Sequence, residues 1–506
     1  MSHFTAFYDT IVLVKKAGYL IIFIVWIVPF VICFSNVVKG STPFWYDPAR
    51  DLLSAWDNLK KPTLLGPPTG IPGMFYGPYW IWLLSLSLIF TKDPRFAAVL
   101  VGIIPYFFIA PVAFYLLKKY TSWSIIVILW LLFILSSINY ATYIWNPNLT
   151  PAVFLFVFYS LLSRKKTTML NSLINGLLVG IILNFHQSLG FCLILGMIIF
   201  YSVKSLFSKN IKIILNLFFV FAGILITLIP TIAFETRHGF NQSKSFFATL
   251  SSALFKNRAV VDKIGLSKTD IVSHYFSKFS DLTHLPHTLS LILIFILFLV
   301  SVYFVIKKRD KLNIFDINIV LFVFSFSSSL LAIYLFSPNP VWDYHFVGVE
   351  IIFLAFILFL IRNIPVIKFL LLFWTLLLLF QSAFNFTRDQ IKPFDPLSIP
   401  SLFTKEYIIK KICQEAINES YQINVYSPAI YTFDFDYLIR WFSEIKICNK
   451  EERNLDKVQF IYLIIPQTSQ AAYEDYINYK TPPKKFLTVK IWQIADGTNI
   501  IKRRLK

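Results

Sequence analysis

The sequence predicts an all-α polytopic membrane protein with a small C-terminal α/β domain. Hydrophobic residues make up 57% of the 506 residues and charged residues only 15%, which is too little charge to cover the surface of a water-soluble protein. The apolar stretches are long and continuous, whereas the strands of a membrane β-barrel alternate apolar and polar residues. From about residue 386 onward the chain becomes polar and mixed, which predicts a separate soluble domain.

The first apolar stretch, 17–38, follows Lys15 and Lys16 and has no small-residue cleavage site after it, so we interpret it as an anchor and not as a removed signal peptide. A polar loop follows over 39–95, interrupted by a short apolar stretch at 78–91. A second polar loop covers 237–287. The remaining apolar stretches are 96–117, 122–140, 147–163, 170–186, 187–203, 212–236, 288–306, 313–336, 346–361 and 367–384.

Basic clusters in short loops predict the orientation. Placing the clusters in the cytoplasm puts the loops 39–95 and 237–287 and the C-terminal tail outside, with the N-terminus inside. The stretch 78–91 then cannot cross, and about fourteen apolar residues are too few for a span, so we expect a juxtamembrane or re-entrant segment. The result is about eleven transmembrane helices, in a bacterial cytoplasmic (inner) membrane. The clusters lie at 118–119, 164–166, 204–212 and 307–309.

The net charge of +20 would suggest a nucleic-acid partner in a soluble protein. Here the cations lie between apolar spans, where they set orientation and meet lipid headgroups, so we expect membrane lipids and no nucleic acid as partners. The four cysteines show no CxxC spacing, which gives no metal or redox motif.

The tail, 386–506, is predicted to be a soluble extracytoplasmic α/β domain. INVYSPAIY and VQFIYLIIP have the composition of buried strands, and YLIRWFSEI that of an amphipathic helix. Cys413 and Cys448 either form a disulfide in an oxidising compartment or remain two buried thiols, and free thiols are the expectation that we adopt.

Any chemistry is expected at the outer face. The inner loops are short and the sequence has neither a GxxxxGK[ST] loop nor a GxGxxG after a strand, so no nucleotide site is expected. A transferase at the outer face has no ATP and needs a donor that is already activated and held in the membrane, such as a polyprenyl-phosphate sugar.

The most informative polar segment is FWYDPARD, just after the first span. Asp47 before Pro48 predicts a helix N-cap with proline at the first helical position. Asp51 then lies one turn later on the same face, where the two carboxylates could bind a cation or a sugar hydroxyl. An acid at the membrane surface is costly unless it has a partner.

The segments FWYDPARDLLSAW and LLGPPTGIPGMFYGPYWIWLL resemble the start of membrane glycosyltransferases of the GT-C fold, such as the lipid A aminoarabinose transferases and the protein O-mannosyltransferases. Those enzymes use polyprenyl-phosphate sugars at the outer or lumenal face. Asp47 matches the first acid of their acidic motif, and Pro48 stands where a second acid is usual. The resemblance implies a GT-C type transmembrane domain over 1–385, with 39–95 as the first outer loop.

The function that the resemblance implies is transfer of a hexosyl or pentosyl group to a lipid, glycan or protein acceptor, with inversion. Asp47 would be the catalytic base. Lys60, Lys61 or Arg237 would neutralise the leaving phosphate. No cofactor is certain; if a divalent cation is used, Asp47 and Asp51 would hold it. The expected substrate-binding residues are Arg50, Asp51, Lys60, Lys61, Tyr76, Glu235, Arg237, His238 and His345.

Several alternatives remain open. Glu235, Arg237 and His238 could form an ion pair and a headgroup anchor and take no part in a site. The chain could also be a lipid-linked polysaccharide polymerase or ligase, which should centre on a large late outer loop carrying Arg and His. A non-enzymatic transporter or flippase should carry midplane ionisable residues in two related halves, and the apolar spans here have almost none.

Overall fold

The structure is a computed structural model that describes residues 2–163, 168–255, 265–307, 312–337, 340–391, 396–427, 431–452, 454 and 457–506. The chain forms two compact units, which are described separately. The helical unit comprises Met1–Cys33, Thr63–Leu83 and Leu100–Phe386, and the mixed unit comprises Phe34–Pro62, Leu84–Val99 and Thr387–Lys506.

Long apolar helices dominate the first 391 residues. Two short π-helical segments, Val99–Ile103 and Pro105–Ile109, interrupt the series of α-helices. The helices are α1 (Ser2–Lys39), α2 (Tyr46–Asn58), α3 (Tyr79–Phe90), α4 (Pro94–Ala98), α5 (Ala110–Leu117), α6 (Trp123–Ser136), α7 (Ile138–Thr142), α8 (Thr150–Leu162), α9 (Met169–Phe185), α10 (Gln187–Ser208), α11 (Lys212–Arg237), α12 (Asn241–Phe255), α13 (Lys268–Thr283), α14 (His287–Lys307), α15 (Ile314–Leu335), α16 (Glu350–Asn363) and α17 (Pro365–Ile391).

Among the described residues, seven helices are long and apolar enough to cross a membrane, or eight if the pair α13 and α14, bent by 96°, counts as one span. Four shorter apolar helices, α3, α6, α8 and α9, accompany them. The prediction of a multi-pass integral membrane protein is confirmed, while the number of crossings stays a prediction. With 12 residues, α3 is about 18 Å long, well short of a hydrocarbon core of about 30 Å.

Helix α9 packs on α11 through glycines. A Cβ at Gly176 would lie 2.0 Å from the carbonyl oxygen of Val220, and one at Gly180 would lie 2.1 Å from Oγ1 of Thr227. Glycine spacing of this kind lets two membrane helices approach to backbone contact. The GxxxG at this position therefore serves helix packing.

The mixed unit contains a four-stranded sheet in the order β1-β2-β4-β3. β1 pairs parallel with β2, and β4 pairs antiparallel with both β2 and β3. Every residue of β2 is buried, as the apolar run VQFIYLIIP predicts. The elements are α18 (Leu402–Glu415), β1 (Tyr421–Val425), α19 (Phe433–Glu444), β2 (Phe460–Ile465), α20 (Gln470–Lys480), β3 (Phe486–Gln493) and β4 (Asn499–Leu505).

Residues from the first long loop belong to this unit together with the tail. The backbone N–H of Phe403 donates to Gly40 O at 3.0 Å, and the Tyr437 hydroxyl donates to Lys92 O at 2.7 Å. Arg95 makes a two-pronged ion pair with Glu406, with N–O distances of 2.5 and 2.9 Å. The segments 34–62 and 84–99 therefore fold with 387–506, although about 300 residues of sequence separate them.

The expectation of two free thiols in the tail is wrong. Cys413, on α18, and Cys448, after α19, form a disulfide with a Cα–Cα distance of 5.0 Å. A separation of 35 residues in the sequence does not determine the distance between the two side chains in space. The packing of α18 on α19 brings them together. Cys33 and Cys192 are buried and free.

Thiol labelling checks this disulfide. After denaturation without reductant we expect two labelled cysteines per chain, Cys33 and Cys192, and after reduction all four. The Cys413→Ser/Cys448→Ser variant is the control and should give two labels in both conditions. Four labels without reductant in the native sequence would contradict the bond.

Candidate functional site

Helix α2 carries the three charged residues of FWYDPARD, which we call the acidic site: Asp47, Arg50 and Asp51. The N-cap of α2 is Trp45, which is extended and makes no side-chain capping bond. The prediction that Asp47 caps this helix is therefore wrong. The helix starts two residues earlier, at Tyr46, whose ring packs on Tyr431 and Phe433 with centroid distances of 5.6 and 5.2 Å.

Arg50 bridges the two carboxylates of the acidic site. Its Nη1 lies 2.8 Å from Oδ1 of Asp47, and its Nη2 and Nε lie 2.7 and 2.8 Å from Oδ1 of Asp51. Burial disfavours the charged guanidinium, but the Asp51 and Asp47 carboxylates outweigh it and raise the pKa of Arg50. The predicted common face for Asp47 and Asp51 is confirmed, with a guanidinium between them.

The two acids differ in exposure. The Asp51 side chain is 1% exposed and the Asp47 side chain 34% exposed. Of the two carboxylates only Asp47 is therefore accessible from solvent, and Asp51 holds the guanidinium that also contacts Asp47. Asp47 also lies in the first turn of α2, near the positive end of the helix dipole, which favours the charged carboxylate.

The acidic site fits a metal ion poorly. The guanidinium occupies the position between the carboxylates where a bridging cation would sit. Within the described ranges, no group of three or more His, Cys, Asp or Glu residues is arranged to hold an ion. Two carboxylates that already share one cation are a weak ligand set for a second.

Lys60 and Lys61 follow α2 in the mixed unit, and both are exposed. Their backbone N–H groups donate to Asp57 O, each at 3.0 Å, which turns the chain away from the end of α2. The sequence-predicted residues Asp47, Arg50 and Asp51 are thus brought into direct contact, while the two lysines lie beyond the other end of the same helix.

The helical unit contains a cavity of about 690 Å³. Four separate segments line it: residues 69–76, 187–195, 246–249 and, before α16, the described residues 332–337 and 340–345. Tyr76 and His345, both predicted as substrate-binding residues, face this one cavity. No Asp, Glu, Lys or Arg belongs to its described lining, which is mainly aromatic and aliphatic with hydroxyl and amide groups.

The Pro- and Gly-rich segment 66–77 forms one wall as a closed loop. Its ends are joined by bonds from Gly66 N–H to Tyr76 O and from Tyr76 N–H to Pro67 O, both 2.9 Å. Two glutamines hold Phe75: its N–H donates to Oε1 of Gln242 at 2.8 Å, and its carbonyl accepts from Nε2 of Gln187 at 3.1 Å. These bonds fix the position of Tyr76 at the cavity.

A turn before α16 also lines the cavity. The backbone N–H of Trp342 donates to Nδ1 of His345 at 3.2 Å, and the Tyr334 hydroxyl donates to the His345 carbonyl at 2.6 Å. His186 is buried and supports this turn: its Nδ1 accepts from Leu189 N–H, so Nε2 carries the proton that binds Tyr344 O at 3.1 Å. His186 is therefore structural, as a histidine at a helix-hairpin tip suggests.

The run Glu235, Arg237 and His238 is not assembled into a cluster. Both oxygens of Glu235 accept bonds from the first turn of α12, from Gln242 N–H at 3.0 Å and from Ser243 N–H at 2.8 Å. Arg237 and His238 are exposed at the end of α11, and the His238 ring stacks on Phe234. The alternative of a Glu235–Arg237 ion pair is not found among the described residues either, because Glu235 caps the next helix.

The site residues predicted from the sequence do not include Gln187, Gln242, Tyr334 and Tyr344. The glutamines act on backbone atoms of a segment more than 100 residues away, so no local pattern marks them. Tyr334 belongs to a continuous apolar stretch, and a tyrosine hydroxyl within such a stretch was the only available signal.

The comparisons with known proteins concern the fold. No known family model matches the sequence, and no curated protein matches it. The structure is similar to that of ArnT from Cupriavidus metallidurans in the apo state, with a TM-score of 0.56 and 9% identity over 96% of this chain and 98% of that chain. It is also similar to the same ArnT bound to undecaprenyl phosphate, with a TM-score of 0.53, 10% identity and the same coverage. The chain therefore has the GT-C fold of ArnT, with the small C-terminal sheet included, as the resemblance of its first outer loop implied.

Proposed function

We propose that this protein is an integral membrane glycosyltransferase that transfers a sugar from a polyprenyl-phosphate donor to an acceptor at the outer face of the membrane. The observation that carries the proposal is the likeness to ArnT over nearly the whole of both chains, in one case with undecaprenyl phosphate bound to ArnT. Identity of 9–10% supports the fold alone, so the donor class is an inference for this chain.

The acidic site supports an inverting mechanism. Asp47 accepts the proton of the acceptor hydroxyl as that oxygen attacks the anomeric carbon and the bond to the lipid phosphate breaks. A carboxylate is a weak base for an alcohol, so the proton moves late and together with the attack. Asp51 and Arg50 hold Asp47 in position, and the mechanism needs no metal.

The cavity supports a lipid or sugar ligand. Its aromatic and aliphatic lining suits a prenyl chain or the apolar face of a sugar ring, and its hydroxyl and amide groups can bind sugar hydroxyls. Because the described lining carries no cation, the phosphate requires charge from elsewhere. Lys60, Lys61 and Arg237 remain the proposed sources, and each is exposed.

The disulfide supports an outside location for the tail. Structural disulfides persist in oxidising compartments and are rare in the bacterial cytoplasm. The bond between Cys413 and Cys448 therefore agrees with the basic clusters, which also place the tail outside.

Reporter fusions test the orientation. Fusions after residues 118, 166 and 308 should report a cytoplasmic location, and fusions after 60, 260 and 400 an external one. The reason is the excess of Lys and Arg beside the first three positions. An external signal at 118 would mean that the stretch 78–91 does cross, and the single outer loop 39–95 would then be wrong.

The function is tested by mass spectrometry of glycolipids and glycoproteins from a strain that lacks the protein. We expect one sugar to disappear from one class of acceptor and the matching polyprenyl-phosphate sugar to accumulate. Loss of long polymers with normal repeat units would favour the polymerase or ligase alternative. A lipid-linked sugar trapped in the inner leaflet would favour a flippase.

A further inference from the structure

A buried polar cluster lies far from the acidic site in sequence, in the hairpin formed by α9 and α10. The Ser172 and Tyr201 hydroxyls lie 3.2 Å apart, and Nδ2 of Asn175 donates to the Tyr201 hydroxyl at 3.4 Å. These contacts fix which residues of the two helices lie side by side. They lie toward the open end of the hairpin, away from the turn at His186 and so away from the cavity.

Lys204 lies one turn beyond Tyr201 on the same face of α10. The residue is only 9% exposed, and its Nζ has no hydrogen-bond partner among the residues that the structure describes. Its one described interaction is with the Phe200 ring, whose centroid is 5.4 Å away. An ammonium group has three donors, and leaving it buried and unpaired is strongly unfavourable. We therefore expect an anion to bind at this position.

A second unpaired donor lies on the facing helix. Asn171 is adjacent to Ser172 and is 5% exposed, and its Nδ2 has no hydrogen-bond partner in the described part of the chain. Asp316, in the first turn of α15, is already paired with Arg362, whose Nε lies 2.8 Å from Oδ1 of Asp316. In the described part of the chain, no carboxylate pairs with Nζ of Lys204 or with Nδ2 of Asn171.

The surface beside Lys204 is amphiphilic. Leu206, Phe207 and Ile211 are largely exposed apolar residues, and Lys212 is an exposed cation next to them. Cations around an apolar surface match a phospholipid, with its phosphate at the buried donors and its acyl chains on the exposed apolar side chains. A free inorganic anion would make no use of the apolar surface.

We propose that Lys204 and Asn171 bind the phosphate of an anionic phospholipid at the end of the α9–α10 hairpin. This site is independent of the proposed transferase activity. It predicts an unusual dependence of stability on the lipid, because removing an unpaired buried charge helps the lipid-free protein and harms the lipid-bound one.

The test uses the purified full chain in detergent, with phosphatidylglycerol, phosphatidylcholine or inorganic phosphate added, followed by native mass spectrometry and thermal unfolding. Phosphatidylglycerol should bind and raise the unfolding temperature. Lys204→Gln should weaken that binding about tenfold or more, because a charge-assisted hydrogen bond is lost, and Lys204→Arg should retain it. Without lipid, Lys204→Gln should be at least as stable as the native sequence.

The exposed Lys212 supplies the matched control, and Lys212→Gln should change binding less than about threefold, because exposed charges contribute little. If Lys204→Gln does not fold, Asn171→Leu serves as the second variant and should weaken the binding of phosphatidylglycerol. Equal binding of the two lipids, or unchanged binding by Lys204→Gln, would overturn the proposal. Tighter binding of inorganic phosphate than of phosphatidylglycerol would also overturn it, in favour of a free anion.

Discussion

Asp47→Asn is expected to lower sugar transfer by about 10²–10⁴-fold, the usual contribution of a general base. The substitution keeps the size of the side chain and an oxygen that can still accept from Arg50, whose Nη1 lies 2.8 Å from Asp47 in the native protein. Asp51 continues to hold the guanidinium, so the local structure should survive. Insertion, yield and thermal unfolding should therefore match the native sequence, while the reaction rate does not.

The measurement is restoration of the missing glycoconjugate in the deletion strain, followed by single-turnover transfer from the lipid-linked donor with purified protein. Asp57→Asn is the matched control, because Asp57 is on the same helix, is mostly exposed and pairs with Arg440 at 2.8 Å. The control should stay within about threefold of the native rate, since exposed ion pairs contribute little. Normal turnover by Asp47→Asn would end the proposed mechanism and leave the fold untouched.

The architecture of the helices could be predicted because the signal is local. Continuous apolar stretches and the composition of β2 each depend on neighbouring residues. Most of the apolar helices match the predicted stretches within a few residues, whereas α1 begins at Ser2 and α17 extends to Ile391. The predicted start of α2 is two residues too late: the helix begins at Tyr46, whose ring packs on Tyr431. Residues nearly 400 positions away cannot be seen in a local pattern.

The candidate site could be predicted only in part for the same reason. Asp47, Arg50 and Asp51 lie within one helical turn, so their spacing alone brings them together. The cavity draws on four segments of the helical unit, and only Tyr76 and His345 among its residues were anticipated. Glu235 looked like part of a site because of its charged neighbours, yet its oxygens satisfy the first turn of α12.

The role of Arg95 could not be anticipated at all, because its partner Glu406 is 311 positions away. The Arg95 side chain is 20% exposed and that of Glu406 only 5%, so this is a largely buried ion pair. The carboxylate of Asp93 lies 3.2 Å from the same guanidinium. Arg95 also donates to Val38 O at 3.0 Å and so ties the end of α1 to α18.

Arg95→Met is therefore expected to destabilise the mixed unit by about 3 kcal/mol, because the substitution leaves a buried carboxylate without its guanidinium. We choose the lower end of the usual range because Lys410 remains 3.8 Å from Glu406. In a urea series read by limited proteolysis of the tail, such a loss lowers the midpoint by about 1–3 M. The double variant Arg95→Met/Glu406→Met should regain most of the lost stability, because the buried carboxylate of Glu406 is then absent as well.

The control for Arg95→Met is Lys490→Met, because the Lys490–Glu415 pair, at 3.1 Å, is solvent-exposed. Removing it should cost less than about 1 kcal/mol. If Arg95→Met leaves the midpoint unchanged while Lys490→Met behaves as expected, the segment 84–99 does not fold with the tail. If instead the double variant is as unstable as Arg95→Met, the loss comes from packing of the arginine side chain and not from the unpaired carboxylate of Glu406.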